Sequence, residues 1–307
     1  MADFYMMVGL PGSGKTTKAD NLVSLLLDCN TNATRIGTDD IREELFGDAS
    51  VQTDAAKVFE IALNRVVENL NSGTTVVFDA TNISSKHRIS FIDNIKRKCG
   101  SVYNITAVVV NTDFEECRRR NASRDRKVPE EVLYRMLKSF QCPQMYEGFT
   151  HISFTESSST DRLFDEICSM DGFDQKNPHH KYDLLQHCRR VANQFSYNDP
   201  RSMAGYLHDI GKMYTQSIDA DGVAHYYSHE NVGTYILVSM YDEFKAFTKS
   251  EQLFFDVVFY VNNHMHIRDI IKSEKAIKKY KALWGEDRFN KLVEFMEADN
   301  KASGREE

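Results

Sequence analysis

Gly9-Leu10-Pro11-Gly12-Ser13-Gly14-Lys15-Thr16 decides how the first half of the chain folds. The stretch fits the spacing G-x-x-x-x-G-K-[ST]. Its surroundings fit as well, because the apolar run Phe4–Val8 precedes it and a helical pattern from Lys15 follows. Glycines at this spacing let successive backbone N–H groups turn inward around phosphate oxygens, and the following helix N-terminus adds partial positive charge. Gly9, Gly12, Ser13 and Gly14 form the cradle. Lys15 reaches the β- and γ-phosphates, and the Thr16 hydroxyl, with Thr17 next to it, meets Mg²⁺. ATP with Mg is therefore the expected ligand, and a glycine turn without one is the competing reading.

Outward from this loop, strands and helices alternate. Apolar or β-branched runs at Phe4–Val8, Thr34–Gly37, Thr74–Phe78, Ile105–Val110 and His151–Phe154 are separated by helical patterns. Those patterns run over Lys15–Leu27, Ala55–Leu70, Lys86–Lys98 and Phe114–Asn121, with another from Pro129 through Phe140. This order predicts a mostly parallel sheet with right-handed crossovers. The polar break Glu156–Thr160 ends the pattern. Beyond it come a connecting helix over Asp161–Met170, a polar connector to Pro178, and then helices only. Those are expected near Tyr182–Phe195, Arg201–Met213, His229–Met240, Glu251–His264 and Asp287–Lys301. The expected fold class is thus α/β followed by all-α. The α/β domain covers 1–156, a connecting helix and linker 157–178, and an all-helical domain 179–307.

Composition narrows the function. The 307 residues carry 38 Lys and Arg against 45 Asp and Glu, a net charge of −7, which argues against a basic coat that binds DNA without specificity. The six cysteines at 29, 99, 117, 142, 168 and 188 stand no closer than 18 apart, so no zinc ribbon is expected. Scattered thiols fit a reducing compartment, and no apolar run is long enough for a membrane span. The chain moves from Met1 directly into a strand and the glycine loop. A signal peptide is not expected, and a cytoplasmic location is.

What accepts the phosphate is decided elsewhere in the first half. Asp39 follows the second strand at the carboxyl edge of the sheet, where ligands of open α/β folds bind, and can take a proton from an attacking hydroxyl. Capping the helix Asp40–Phe46 is its alternative role. Arg42 lies three residues on, on the same helix face. Asp79 ends the run Val76-Val77-Phe78-Asp79 like a metal-supporting strand end, or simply forms a turn. Arg118, Arg119, Arg120, Arg124, Arg126 and Lys127 form a basic cluster, readable as a solvated helix face or as a lid that closes over a triphosphate.

In order, GLPGSGKTT, IGTDDIREELFGD, TTVVFDATN and CRRRNASRDRKVPEEVLYRML resemble the kinase module of phage polynucleotide kinase-phosphatases, over about residues 4–145. The resemblance implies that Asp39 is the general base and that Arg42 steadies the phosphate of the acceptor nucleotide. It puts Asp79 in the acceptor pocket, Arg120 and Arg124 on the ATP phosphates as lid arginines, and Val128 at the acceptor base site.

The second half carries a different signal. His187, His208, Asp209, His229, His264 and Asp299 fall on expected helices or at their ends. Imidazole and carboxylate donors without cysteine favour a catalytic divalent site built from several helices, against core histidines as the bland reading. Residues 179–302 resemble the HD phosphohydrolase superfamily. The resemblance implies His187, His208, Asp209 and Asp299 as metal ligands. His229 and His264 match the extra histidines of members that hold two divalent transition metals, and Asp209 would bridge the two. Lys212 would steady the scissile phosphate, with a dipole-favoured place at a helix C-terminus as its alternative. His179 and His180 are outer-shell groups or surface residues, and His225 a loop residue.

The whole resembles bacterial end-healing proteins that fuse an HD domain to a polynucleotide kinase, with the domain order reversed. It implies a bifunctional enzyme that phosphorylates 5′-OH ends of RNA or DNA and removes a 3′-phosphate or 2′,3′-cyclic phosphate. Its partners would be nucleic-acid ends, ATP and a ligase acting afterwards, with no membrane and with self-association left open. Two other readings stand beside it. One is a small-molecule or nucleoside kinase fused to a nucleotidase, and the other an ATP-gated sensor without phosphoryl transfer.

Overall fold

The computed structural model describes residues 2–99, 104–155, 162–177 and 181–303. The polar break at 156–160, Asp161, Pro178, His179 and His180 lie outside the described residues. The chain divides into two compact units, 1–136 with 143–156, and 137–142 with 157–307. The short stretch 137–142 thus groups with the second unit, where Phe140 packs edge-on against Tyr235.

The first unit comprises β1 (Phe4–Val8), α1 (Lys15–Asp28), β2 (Ala33–Gly37), α2 (Thr38–Phe46), α3 (Ala55–Asn71), β3 (Thr75–Asp79), α4 (Ser85–Lys98), β4 (Ile105–Val109), α5 (Phe114–Ala122), α6 (Glu130–Leu137) and β5 (His151–Phe154). The five strands form one sheet in the order β2-β3-β1-β4-β5, every pair parallel. β1 is central and almost wholly buried, as an apolar strand covered on both faces must be. Val58, Ala62, Val66 and Leu70 recur along one face of α3 and are buried. Phe78 stacks on Phe91 of α4 with ring centroids 4.6 Å apart. The helix expected from Pro129 through Phe140 stops at Leu137.

The second unit comprises α7 (Arg162–Ser169), α8 (Leu184–Ala192), α9 (Pro200–Leu207), α10 (Lys212–Thr215), β6 (Ser217–Ile218), β7 (Ala224–His225), α11 (His229–Ser239), α12 (Tyr241–Thr248), α13 (Glu251–Asn263), α14 (Ile267–Ile270), α15 (Glu274–Trp284) and α16 (Glu286–Ala302). It is helical but not all-helical. β6 and β7 pair antiparallel around a turn in which Asp219 accepts the N–H groups of Asp221 and Val223 and Gly222 adopts a positive φ. His225 is therefore a strand residue, bonded to Asp219 at 2.8 Å. α12, α14 and α15 also go beyond the expected helices. The helix expected over Arg201–Met213 is broken at residues 208–211, between α9 and α10. Its cause is tertiary: a side chain on Gly211 would lie 2.0 Å from the His229 carbonyl, so the turn packs directly on the start of α11.

Candidate functional sites

In the first unit, the phosphate loop joins the central strand β1 to α1. Gly12 has φ +84°, and any Cβ there would meet the Cys117 carbonyl at 2.2 Å. Lys15 opens α1, is buried, and donates to the Leu10 carbonyl at 2.8 Å. Burial pushes its pKa down to about 8, with Arg124 adding to the fall and Asp79 opposing it. The Thr16 hydroxyl donates to Asp79 Oδ2 at 2.7 Å. Asp79 thus ends β3 against the loop threonine. Arg35 of β2 reaches Asp20, Asp40 and Asp79 at 2.8, 2.9 and 3.4 Å, and was not singled out from the sequence.

Asp39 sits within the first turn of α2, and Gly37 occupies the cap, so Asp39 does not cap a helix beginning at Asp40. Its carboxylate accepts from Arg42 Nη1 at 2.9 Å and from Arg126 Nη1 at 3.0 Å, yet its side chain stays 61% exposed. Arg42 is buried, and its Nε has no partner among the described residues. Arg120 bonds Glu116 and lies 3.4 Å from the Ser13 carbonyl of the phosphate loop. Asn121 grips Val128 by both backbone groups, at 2.8 and 3.0 Å. Thr17 and Arg124 are exposed.

Residues 4–143 match the profile of a family described as an AAA domain. This half is a P-loop kinase-like α/β domain, and the chain continues into a helical part. L-seryl-tRNA(Sec) kinase of Methanococcus maripaludis is 24% identical over 216 residues, 68% of this chain and 81% of the relative. A chain of the Pnkp1/Rnl/Hen1 RNA repair complex is 22% identical with a TM-score of 0.37, matching 44% of this chain. The match spans 42% of that chain, less than half its length. Chaetomium thermophilum Kti12 in complex with ADP-AlF3 is 18% identical with a TM-score of 0.42, over 54% of this chain and 97% of its own. No helix among the described residues is long and apolar enough to cross a membrane.

In the second unit, all six of the histidines and aspartates singled out from the sequence are buried and converge. They fall into two sets. His187 Nε2 lies 3.1 Å from Asp299 Oδ1 and 3.4 Å from Asp209 Oδ2, and His208 Nε2 stands 3.3 Å from both His187 Nε2 and Asp209 Oδ2. On the other side, Asp209 Oδ1 lies 3.0 Å from His229 Nε2 and 3.7 Å from His264 Nε2. Those two ring nitrogens are themselves 3.0 Å apart. Each oxygen of Asp209 thus faces one set.

This donor set fits divalent ions on two grounds. Donors bound at about 2.1 Å stand roughly 3.0–3.4 Å apart, close to the spacings found. The Nδ1 atoms of His208, His229 and His264 lie 2.9, 2.8 and 2.8 Å from the carbonyls of Gly205, Tyr226 and Val261. Backbone bonds of this kind turn Nε2 inward as the ligating atom. Burial alone would raise the Asp209 carboxyl, but His208 and Lys212 beside it hold it well below the usual range. Burial keeps the His264 imidazole below its usual value. Cys188 lies 3.9 Å from His208 Nδ1, but burial pushes its thiol up, so it packs there as a thiol.

Lys212 begins the four-residue helix α10. It is buried, with Nζ 2.7 Å from Asp209 Oδ2 and 2.9 Å from Gln175 Oε1. Gln175 and Arg268, which bonds Asp299 at 2.6 Å, were not legible as site residues. Neither belongs to a recognisable motif, and both meet the cluster only through tertiary folding.

Proposed function

We propose that the chain heals nucleic-acid ends: it phosphorylates 5′-OH termini with ATP and removes a 3′-phosphate or 2′,3′-cyclic phosphate. The observation that supports this reading is the pairing, in one chain, of an exposed carboxylate, Asp39, just after the second strand of the phosphate-loop unit with a buried six-residue His/Asp cluster. Many RNA cleavages leave a 5′-OH and a cyclic phosphate, and a ligase needs the opposite polarity at each end.

In the kinase reaction Asp39 takes the proton of the 5′-hydroxyl as its oxygen attacks the γ-phosphorus and ADP departs. Arg42, which bonds Asp39, orients the acceptor nucleotide. Lys15, Arg120 and Arg124 neutralise charge on the phosphates, and Thr16, supported by Asp79, meets Mg²⁺. Val128 flanks the acceptor base. In the second unit His187, His208, Asp209 and Asp299 would hold one divalent ion, and Asp209, His229 and His264 another. Such ions, when bound, supply an activated water and stabilise the leaving oxygen. Asp209 keeps its two oxygens apart, and Lys212 brings positive charge to the scissile phosphate.

The archaeal relative is named as a kinase acting on seryl-tRNA, which supports an alcohol carried on RNA as acceptor. The test uses γ-labelled ATP with 5′-OH oligoribonucleotides, oligodeoxynucleotides and nucleosides, and follows 2′,3′-cyclic-phosphate ends in parallel with added metals or chelator. Labelling of nucleosides in preference to oligonucleotides would replace this reading with a small-molecule kinase. Absence of any transfer would leave an ATP-gated sensor.

A further inference from the structure

Arg268 has no assigned role, yet it reaches the cluster from an element that supplies no ligand. It lies on α14, four residues past His264, and its guanidinium spans two neighbours on α16. Nη2 donates to Asp299 Oδ2 at 2.6 Å and Nη1 to Asn300 Oδ1 at 2.7 Å. Its Nε is buried and makes no hydrogen bond among the described residues. Leaving a buried N–H unpaired costs stability, which the bonds of the fork to Asp299 and Asn300 offset.

The two oxygens of Asp299 therefore have different neighbours. Oδ1 faces His187 at 3.1 Å and His208 at 3.7 Å, whereas Oδ2 is taken by Arg268. A carboxylate free to rotate can offer both oxygens to one ion. Anchored by a planar fork that is itself tied to Asn300, Asp299 can offer only one. We propose that Arg268 is a positioning residue that restricts Asp299 to single-oxygen ligation at the His187–His208 subsite and balances its charge. Asp209 has a matching partner in Lys212, at 2.7 Å. Each carboxylate of the cluster thus carries its own cation: on Asp209 a point charge that Gln175 also holds, on Asp299 a planar fork that Asn300 also holds. This inference rests on the reading of the cluster as a two-ion centre.

Its test is a metal titration of the whole 307-residue chain with Mn²⁺ against a competing chelator, for wild type and Arg268→Gln, Arg268→Lys and Asn300→Ala. Outer-shell partners of metal ligands are typically worth 10–100-fold in affinity. Arg268→Gln should weaken one of two ions by about that factor and leave the other unchanged. Arg268→Lys, which keeps the charge but not the fork, should fail to restore it. Asn300→Ala should weaken the same ion by a smaller factor, and it tests the idea should Arg268→Gln not fold. Two ions bound with wild-type affinity in folded Arg268→Gln, full rescue by lysine, or an unchanged Asn300→Ala would each overturn the positioning role. A wild-type protein that binds no Mn²⁺ would overturn the two-ion centre itself, which separates the two failures.

Discussion

Arg126 donates to Asp39 across 87 residues of chain, joining the basic segment after α5 to the first turn of α2 at 3.0 Å. The pair is solvent-exposed, and such pairs are worth about 0–1 kcal/mol, so an acceptor hydroxyl can displace the arginine at little cost. Arg126→Ala should therefore change the acceptor KM by no more than about fivefold, with kcat nearly unchanged. Asp39→Asn should cost on the order of 10²–10⁴-fold in kcat while ATP binding survives. Steady-state kinetics on a 5′-OH oligonucleotide separates the two, and full turnover by Asp39→Asn would remove its role as base.

Arg120 stands between Glu116 and the Ser13 carbonyl, so it reaches the phosphate loop without touching Asp39 in the structure. Arg120→Ala should slow transfer by on the order of 10²-fold, as expected for a donor aimed at transition-state charge. Oligonucleotide affinity should stay within about twofold. Filter binding beside single-turnover kinetics checks this, and weakened acceptor binding at an unchanged rate would make the cluster a nucleic-acid patch.

Lys15 carries a pH signature. Burial holds its pKa near 8 in the nucleotide-free protein, below the ordinary 10.5. Triphosphate charge favours the protonated form, so ATP binding at about pH 9 should take up most of one proton, and at about pH 6.5 almost none. Calorimetry in buffers of different ionisation heat reads this directly. The sign for folding follows from the same shift. Between about 8 and 10.5 the unfolded chain binds more protons at this group, so its contribution to stability rises with pH across that window. Uptake independent of pH would mean that Lys15 is already charged in the free protein.

Asp209→Asn should abolish phosphohydrolase activity and lower the bound metal of both subsites, since both oxygens are engaged. It also leaves Lys212 buried without its charge partner, which costs about 3–5 kcal/mol, so helical content must be checked alongside activity. Kinase turnover should be preserved, because its phosphate loop lies in the other unit. Elemental analysis and the end-labelling assay measure both effects, and hydrolysis with unchanged metal would remove Asp209 from the centre.

Gly9–Thr16 and the strand-helix alternation made the sheet legible, because each feature is local. The residue types of the buried cluster were legible too, since histidines and aspartates at helix ends are chemically conspicuous. What escaped depends on distant contacts. The helical pattern runs unbroken through His208–Gly211, where the structure instead packs Gly211 against the His229 carbonyl and Gly233. Arg268 and Asp299 are 31 residues apart on different helices, with no spacing to connect them. The β6–β7 hairpin is the exception. Asp221-Gly222 is a turn signal present in the sequence and lies between two expected helices.

The contact between Gly12 and the Cys117 carbonyl locks the root of α5 to the phosphate loop. Any closure over a nucleotide must then pivot beyond that helix. Asn121, the penultimate residue of α5, fastens Val128 at the far end of the loop. Arg120 thus stands already at the loop, whereas Arg124 and Arg126 lie on a tether clasped at both ends. Such a tether can travel only as far as six residues allow, so its reach is set before any substrate arrives.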